Sequence, residues 1–352
     1  MFPYWLLFSV IALGALFNSG AFGRRRGDFD PMLVIALAAI ALMIGFRFEV
    51  GGDWRAYGRY YSFASLATFN QIINKDDPGY QLINWVAAKL DAGLWLVNLV
   101  CGTVFSWGLF RLIRSQPFPW LSLLLAVPYL IIVVAMGYSR QGIAIGVLMA
   151  GIAGFQCNGS IVRYAFYVLV AALFHRTAVI GLPLLLIGGQ RGWLVNLLIG
   201  TFGSVLLYDV FLARSIDQLV NNYVSSDISS QGAAIRVAMS ILPAVTFIIF
   251  RKRLGFSPIE TNIWRNFSYA AIALLIALLA VSASTVIDRL ALYILPLQLA
   301  VMPRVVGTLV RERAGKVMII FYCLAIQFVW LTFAAHSNYW VPYQLFPVGI
   351  SV

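Results

Sequence analysis

Charge is what this chain most lacks. Asp, Glu, Lys and Arg together make up 11% of its 352 residues, where a soluble globular domain carries about a quarter. Hydrophobic residues make up 61% and mean hydropathy is +0.87, which excludes a soluble globule and implies a polytopic membrane protein. Acids are scarcer than bases, 13 against 25, and the formal net charge of +12 comes from that shortage. Most of the excess borders hydrophobic segments. It therefore reports orientation across a bilayer, with attraction to anionic lipid as a corollary, rather than binding to nucleic acid. Cysteine is rare as well. Cys101, Cys157 and Cys323 lie in or beside apolar runs without metal-like spacing, which argues against a disulfide framework or a zinc site. Only two histidines occur, His175 and His336. No basic segment precedes the first apolar run, Phe2 to Phe17; Arg24-Arg25-Arg26 follow it. That is the reverse of a cleaved signal, so the run reads as a retained first helix. Internal repeats are not visible, nor are matched Gly/Pro-broken helices in two halves, the mark of many secondary transporters.

Apolar stretches long enough to approach roughly 30 Å of hydrocarbon fall near 2–19, 31–46, 94–112, 120–136, 141–156, 193–208, 236–250, 265–282, 289–303 and 317–334. Residues 164–188 admit two readings: one long helix, or a hairpin of two short helices broken around His175-Arg176 and Pro183. A single crossing places Arg191 and Arg251-Lys252-Arg253 outside, against the preference of Lys and Arg for the cytoplasmic side. A hairpin gathers the basic clusters at 24–26, 111–114, 251–253 and 304–316 inside. The hairpin is the expectation, within an all-α, GT-C-like transmembrane helical bundle of about twelve spans with both termini outside. Residues 1–352 then form a single integral-membrane domain, with outer loops at 47–91 and 209–235. The stretch 80–91, amphipathic and too short to cross, is expected to lie in the interface as a lid or re-entrant helix.

That topology collects polar islands on the outer face: Arg47 to Tyr57, Asp76 to Tyr80, Ser139-Arg140-Gln141, His175-Arg176, the 209–235 loop running into Arg236, Asp288-Arg289, and His336 to Tyr343. Arginines on the side that normally avoids them point to an anionic substrate. Arg140, Arg236 and Arg289 each stand at a membrane boundary, at the height of a lipid headgroup, where forked hydrogen bonds can hold phosphate oxygens. The competing reading makes them interfacial anchors, or partners of nearby acids, such as Arg289 with Asp288. Deprotonating a hydroxyl calls for a carboxylate or imidazole. Asp53, aimed by the turn that Gly51-Gly52 permits, is the first candidate, although a turn Asp bonded to its own backbone or to Arg47 would look the same. His175, at the predicted break, is the second, against a hydrogen-bonded structural role; His336 reads as a surface residue. Trp54, Tyr57, Tyr60, Tyr61, Tyr80, Trp85, Trp340 and Tyr343 crowd the same edge, as an interfacial belt or as a platform for sugar rings. Asp76-Asp77-Pro78-Gly79 reads as a turn before a divalent-cation site.

The order Arg47-x-x-x-Gly51-x-Asp53-x-x-x-Tyr57, then Asp77-Pro78-Gly79-Tyr80, Arg140-Gln141, Phe174-His175, an Arg opening a later helix and Pro342-Tyr343 resembles the EpsG family, Wzy-type polymerases of bacterial exopolysaccharide and O-antigen. The resemblance runs from about 44 to 343. It implies an inner-membrane glycosyltransferase with a GT-C-like fold and a periplasmic active site. Such an enzyme joins oligosaccharide repeats carried on undecaprenyl diphosphate, donor to acceptor, with a chain-length regulator and a flippase as further partners and no nucleic acid. The expected catalytic residues are Asp53, His175 and Arg140. The expected substrate-binding residues are Arg47, Tyr57, Tyr80, Gln141, Arg236, Arg289, Tyr293 and Tyr343. No metal or other cofactor is expected. Three other classes stay open: an O-antigen ligase or other lipid-phosphate-dependent transferase, a carrier of lipid-linked sugars or anions, and a non-catalytic assembly subunit. A carrier should place ionisable groups near the bilayer midplane, whereas here they gather at one edge.

Overall fold

The computed structural model of the chain describes residues 1–18, 30–186, 233–280, 284–347 and 350–351. Helix α1 (Phe2–Phe17) carries Pro3 in its first turn, where a missing N–H breaks no helical hydrogen bond. Asp30 caps α2 (Pro31–Gly45). One carboxylate oxygen accepts from the Leu33 N–H at 3.2 Å and the other from Trp120 Nε1 at 3.0 Å, so one side chain starts a helix and ties it to a neighbour. The short helices α3 (Trp54–Leu66), α4 (Phe69–Ile73) and α5 (Pro78–Lys89) follow. Next come α6 (Leu94–Ile113), α7 (Pro119–Ala126), α8 (Ser139–Asn158), α9 (Ile161–Phe174) and α10 (Gly181–Leu186). Beyond residue 232 lie α11 (Ala233–Phe250), α12 (Pro258–Ala280), α13 (Ser284–Ile294), α14 (Pro296–Val305) and α15 (Glu312–Phe333). Among the described residues α6, α8, α12 and α15 are long and apolar enough to cross a membrane, and α1, α2, α7 with its continuation, α9 and most of α11 are shorter apolar helices. This is an all-α membrane protein. The expected span at 193–208, most of the loop 209–235 and the basic cluster 24–26 lie outside the described residues.

The core sits around α8 and the run before it. Pro128 has no N–H to donate, and past α7 the helix widens into π turns over Val127–Ala135, every residue of which is buried. In α8 everything from Ser139 to Ala153 is buried except Arg140. Helices α6 and α8 meet where Gly108 faces Gly146, so closely that a Cβ on Gly108 would lie 1.8 Å from the Gly146 carbonyl oxygen.

Residues 164–188 do not continue as one helix. Helix α9 ends at His175, a 3₁₀ turn covers Arg176–Ile180, and the Tyr164 hydroxyl donates to the Gly181 carbonyl at 2.8 Å. The chain therefore doubles back at His175. Polar side chains gather at the two ends of α6, about 30 Å apart for its 20 residues. At its start Asn98 bonds Arg47; past its end Ser115 bonds Gln156, while Gln116 bonds Arg304, which pairs with Glu260 at 2.9 Å.

The segment 47–91 holds more helix than its polarity announced. Besides α5, which covers the expected amphipathic stretch but begins at Pro78, Trp54–Leu66 is helical, and α5 packs on α3, α6 and α9. Arg55, Arg59 and the tyrosines of α3 hid that helix from a reading by hydropathy. Two-residue strands β1 (Arg47–Phe48), β2 (Gln344–Leu345) and β3 (Ile350–Ser351) form an antiparallel ribbon that brings the C-terminal segment over the same end. Trp340, almost fully buried, donates to the Ile132 carbonyl at 2.8 Å, and the Gly51 N–H donates to the Tyr339 carbonyl at 2.7 Å.

Candidate active site

Gly51 takes φ +108°, and a Cβ there would lie 2.5 Å from the Met136 carbonyl oxygen, so only glycine allows the chain to turn this close to the core. Two residues later Asp53 precedes α3 without using its carboxylate as a cap. Nor does Asp53 bond Arg47. Its Oδ2 faces the Tyr57 hydroxyl at 3.5 Å, and the fields of Arg140 and Arg289 both reach it. Burial raises the Asp53 carboxyl above the ordinary carboxylate value, and the two arginines only partly offset that rise. A buried carboxylate of this kind is a better proton acceptor than an exposed one.

Asp77 is the anchor that composition did not announce. It holds a left-handed conformation (φ +55°) at the start of α5. Its Oδ2 accepts from Arg140 Nη1 at 2.8 Å and its Oδ1 from the Arg176 N–H at 3.1 Å. Both oxygens thus serve to join α5, α8 and the turn after α9. Asp76, more exposed, lies 3.9 Å from the Arg176 guanidinium. The Arg140 guanidinium also lies 4.9 Å from the centre of the Tyr60 ring, while its Nε is buried without a partner among the described residues. A cation held between a carboxylate and an aromatic face is aimed, not loose.

His175 sits beside this group, buried, with its Nδ1 2.7 Å from the Thr177 hydroxyl, which is in turn 2.8 Å from the Tyr293 hydroxyl. Burial, then the charges of Arg140, Arg289 and Arg176, pull its pKa down to about 3, so the ring is neutral at physiological pH. Arg289 is exposed, and among the described residues its guanidinium makes no hydrogen bond or ion pair; Gln141 Nε2 donates to its carbonyl at 2.7 Å and fixes its backbone. Arg140, Arg176, Arg289, Asp53, His175, Gln141 and Tyr293 are thus drawn to one end of the bundle from four stretches of chain.

Other expected residues do different work. Arg47 is fully buried and spends its guanidinium on the protein: on the carbonyls of Val50 (3.2 Å) and Ile44 (2.6 Å), Asn98 Oδ1 (2.9 Å) and Ser139 Oγ (2.5 Å). It ties α2, α6 and α8 together at the corner below Asp53. Arg236 bonds Asp288 and the Tyr129 hydroxyl, so Asp288 pairs with Arg236 instead of its neighbour Arg289. Tyr57 and Tyr80 are buried with ring centroids 5.6 Å apart, and the Tyr80 hydroxyl has no partner among the described residues. The Tyr343 hydroxyl donates to the Met43 carbonyl at 2.7 Å and belongs to the C-terminal strap. Sequence reasoning passed over Thr177, whose only signal was its place two residues after His175, and gave Asp77 to a turn because Pro78-Gly79 explained it already.

No curated protein and no solved structure matches the chain. One family model does, the EpsG family, over residues 31–345, which takes in the Gly51 turn, Asp53, Asp77, Arg140, His175, Arg289 and the Tyr343 strap. A polytopic helical protein with a cluster of arginines, a buried carboxylate and a neutral imidazole at one end is matched over nearly its whole length: the chain belongs to the EpsG family, a family of Wzy-like polymerases.

Proposed function

We propose that the protein is a polymerase glycosyltransferase that joins undecaprenyl-diphosphate-linked oligosaccharide repeats at the periplasmic face of the inner membrane. Family membership supports a role in polysaccharide polymerisation. The observation that carries the finer reading is that Asp77 holds both the Arg140 guanidinium and the Arg176 N–H beside His175, while Gln141, next to Arg140, holds the backbone of Arg289. Glycosyl transfer forms a bond from an acceptor hydroxyl oxygen to the anomeric carbon and breaks the bond from that carbon to the lipid diphosphate. The leaving diphosphate gains negative charge, which Arg140, Arg289 and Arg176 are arranged to bind as it develops. The hydroxyl proton goes to Asp53, whose raised pKa suits a general base. In this reading Arg47 and the Arg236–Asp288 pair position the site, the half-buried Tyr60 and Tyr61 of α3 line the sugar path with Tyr57 and Tyr80 packed behind them, and no cofactor enters the chemistry.

The test is extension of a purified undecaprenyl-diphosphate oligosaccharide by the detergent-solubilised protein. Wild type should give a ladder spaced by whole repeats. Arg289→Ala, which removes a guanidinium not bound by the described fold, should lower the rate on the order of a hundredfold, and Asp53→Ala by a hundredfold or roughly more. Folded wild type that makes no ladder from its native repeat, but moves lipid-linked sugar between leaflets of liposomes, would be a carrier.

A further inference from the structure

His175 offers a choice between its two ring nitrogens, and the protein makes that choice. The Thr177 N–H approaches Nδ1 at 3.4 Å. An N–H can only donate, so Nδ1 accepts. The Thr177 hydroxyl, 2.7 Å from the same nitrogen, is then left to donate to it as well, and its own oxygen receives the Tyr293 hydroxyl at 2.8 Å. The chain runs from Tyr293 through Thr177 to Nδ1. A neutral imidazole carries one proton, and with Nδ1 accepting, that proton is on Nε2. Burial and the nearby arginines keep the ring from taking a second proton. Nε2 makes no hydrogen bond to any described residue and is not among the buried polar atoms sealed from solvent. It therefore has a hydrogen to give and no lone pair, which removes His175 as the general base and leaves Asp53.

We propose that Tyr293 and Thr177 are positioning residues that lock His175 as the Nε2–H tautomer, and that this N–H donates to an anionic phosphate oxygen of the lipid-linked substrate. The second half rests on the polymerase reading above; the first does not. The charges of Arg140, Arg289 and Arg176 all bear on the ring, none of them can accept a hydrogen bond, and so positive a setting favours an anionic acceptor over a neutral one. Beside three cations, a neutral donor adds direction without adding charge.

Nitrogen NMR of ¹⁵N-histidine-labelled full-length protein in nanodiscs tests the tautomer without any substrate, and His336→Gln leaves His175 as the sole imidazole. At neutral pH the expected spectrum is that of a neutral ring protonated on Nε2. Tyr293→Phe and Thr177→Val should turn it towards a mixture of tautomers, while Thr177→Ser should preserve it. An Nδ1-protonated or doubly protonated ring in wild type would overturn the lock. The role is read by extension: His175→Gln puts an amide N–H near the Nε2 position and should retain activity that His175→Asn loses on the order of a hundredfold. Equal loss in both would overturn the donor role. A wild type that shows the tautomer but extends nothing would sink the polymerase reading and leave the lock standing.

Discussion

Asp53 and His175 are a few residue types apart in chemistry and opposite in what burial does to them. Burial raises an acid and lowers a base, so Asp53 becomes a readier proton acceptor while His175 stays neutral. A base works deprotonated, so extension should be full above the Asp53 pKa and fall as pH drops through it. That acid limb should lie above the ordinary carboxylate value of about 4. Arg289 pulls the Asp53 pKa down, so in Arg289→Ala the limb should move to higher pH even though the overall rate is lower. A limb that stays still would mean that another group controls it. Arg236 and Asp288 permit a second test at this scale. Each is nearly buried and pairs with the other, so losing one strands a charge. Arg236→Met and Asp288→Leu should each destabilise the protein by about 3 kcal/mol, and the double variant should recover much of that loss in thermal unfolding.

At the scale of helices, small residues decide how closely the scaffold packs. Neither Gly108 nor Gly146 has room for a methyl group, since each faces backbone of the other helix, at 1.8 Å and 2.6 Å from a built Cβ. Overpacking against backbone has no side-chain route to relief. Gly108→Ala is expected to destabilise the protein by about 1–3 kcal/mol. Gly58, in the exposed-edge helix α3 with nothing within 4 Å of its Cβ position, is the matched control, and Gly58→Ala should be neutral or stabilising by up to about 1 kcal/mol. Apolar length predicted most of the helices to within a few residues: 94–112 is Leu94–Ile113, and 2–19 is Phe2–Phe17. Its failures were α3, too polar for hydropathy to find, the π turns after α7, where every residue looks like ordinary span, and the single span expected at 289–303, which is divided between α13 and α14 at Leu295, before Pro296.

For the molecule as a whole, the two polar ends of the bundle should face opposite sides of the membrane. Cys157 is exposed at the far end of α8 from Arg140, whereas Cys101 and Cys323 are buried. Lys75 is exposed beside Asp76 and Asp77, at the end that holds the candidate site. A membrane-impermeant thiol reagent added to spheroplasts should label Lys75→Cys directly and native Cys157 only after the membrane is opened. The opposite order would overturn the proposed periplasmic orientation of the candidate site.

Composition and the spacing of apolar runs determined the membrane class and the helix positions, because every span must close its own backbone hydrogen bonds and so shows as a long run without charge. The sequence alone also brought out Asp53, Arg140, His175 and Arg289 as exceptions to that rule. Tertiary structure decided which partners each exception has. Arg47 and Arg289 carry the same side chain near the same end, yet one is enclosed by carbonyls, Asn98 and Ser139, and the other has no described partner. Asp288 is adjacent to Arg289 in the chain and bound to Arg236, 52 residues away. Charge partners are chosen by distance in three dimensions and by how little water lies between them, and neither quantity is written in the order of residues.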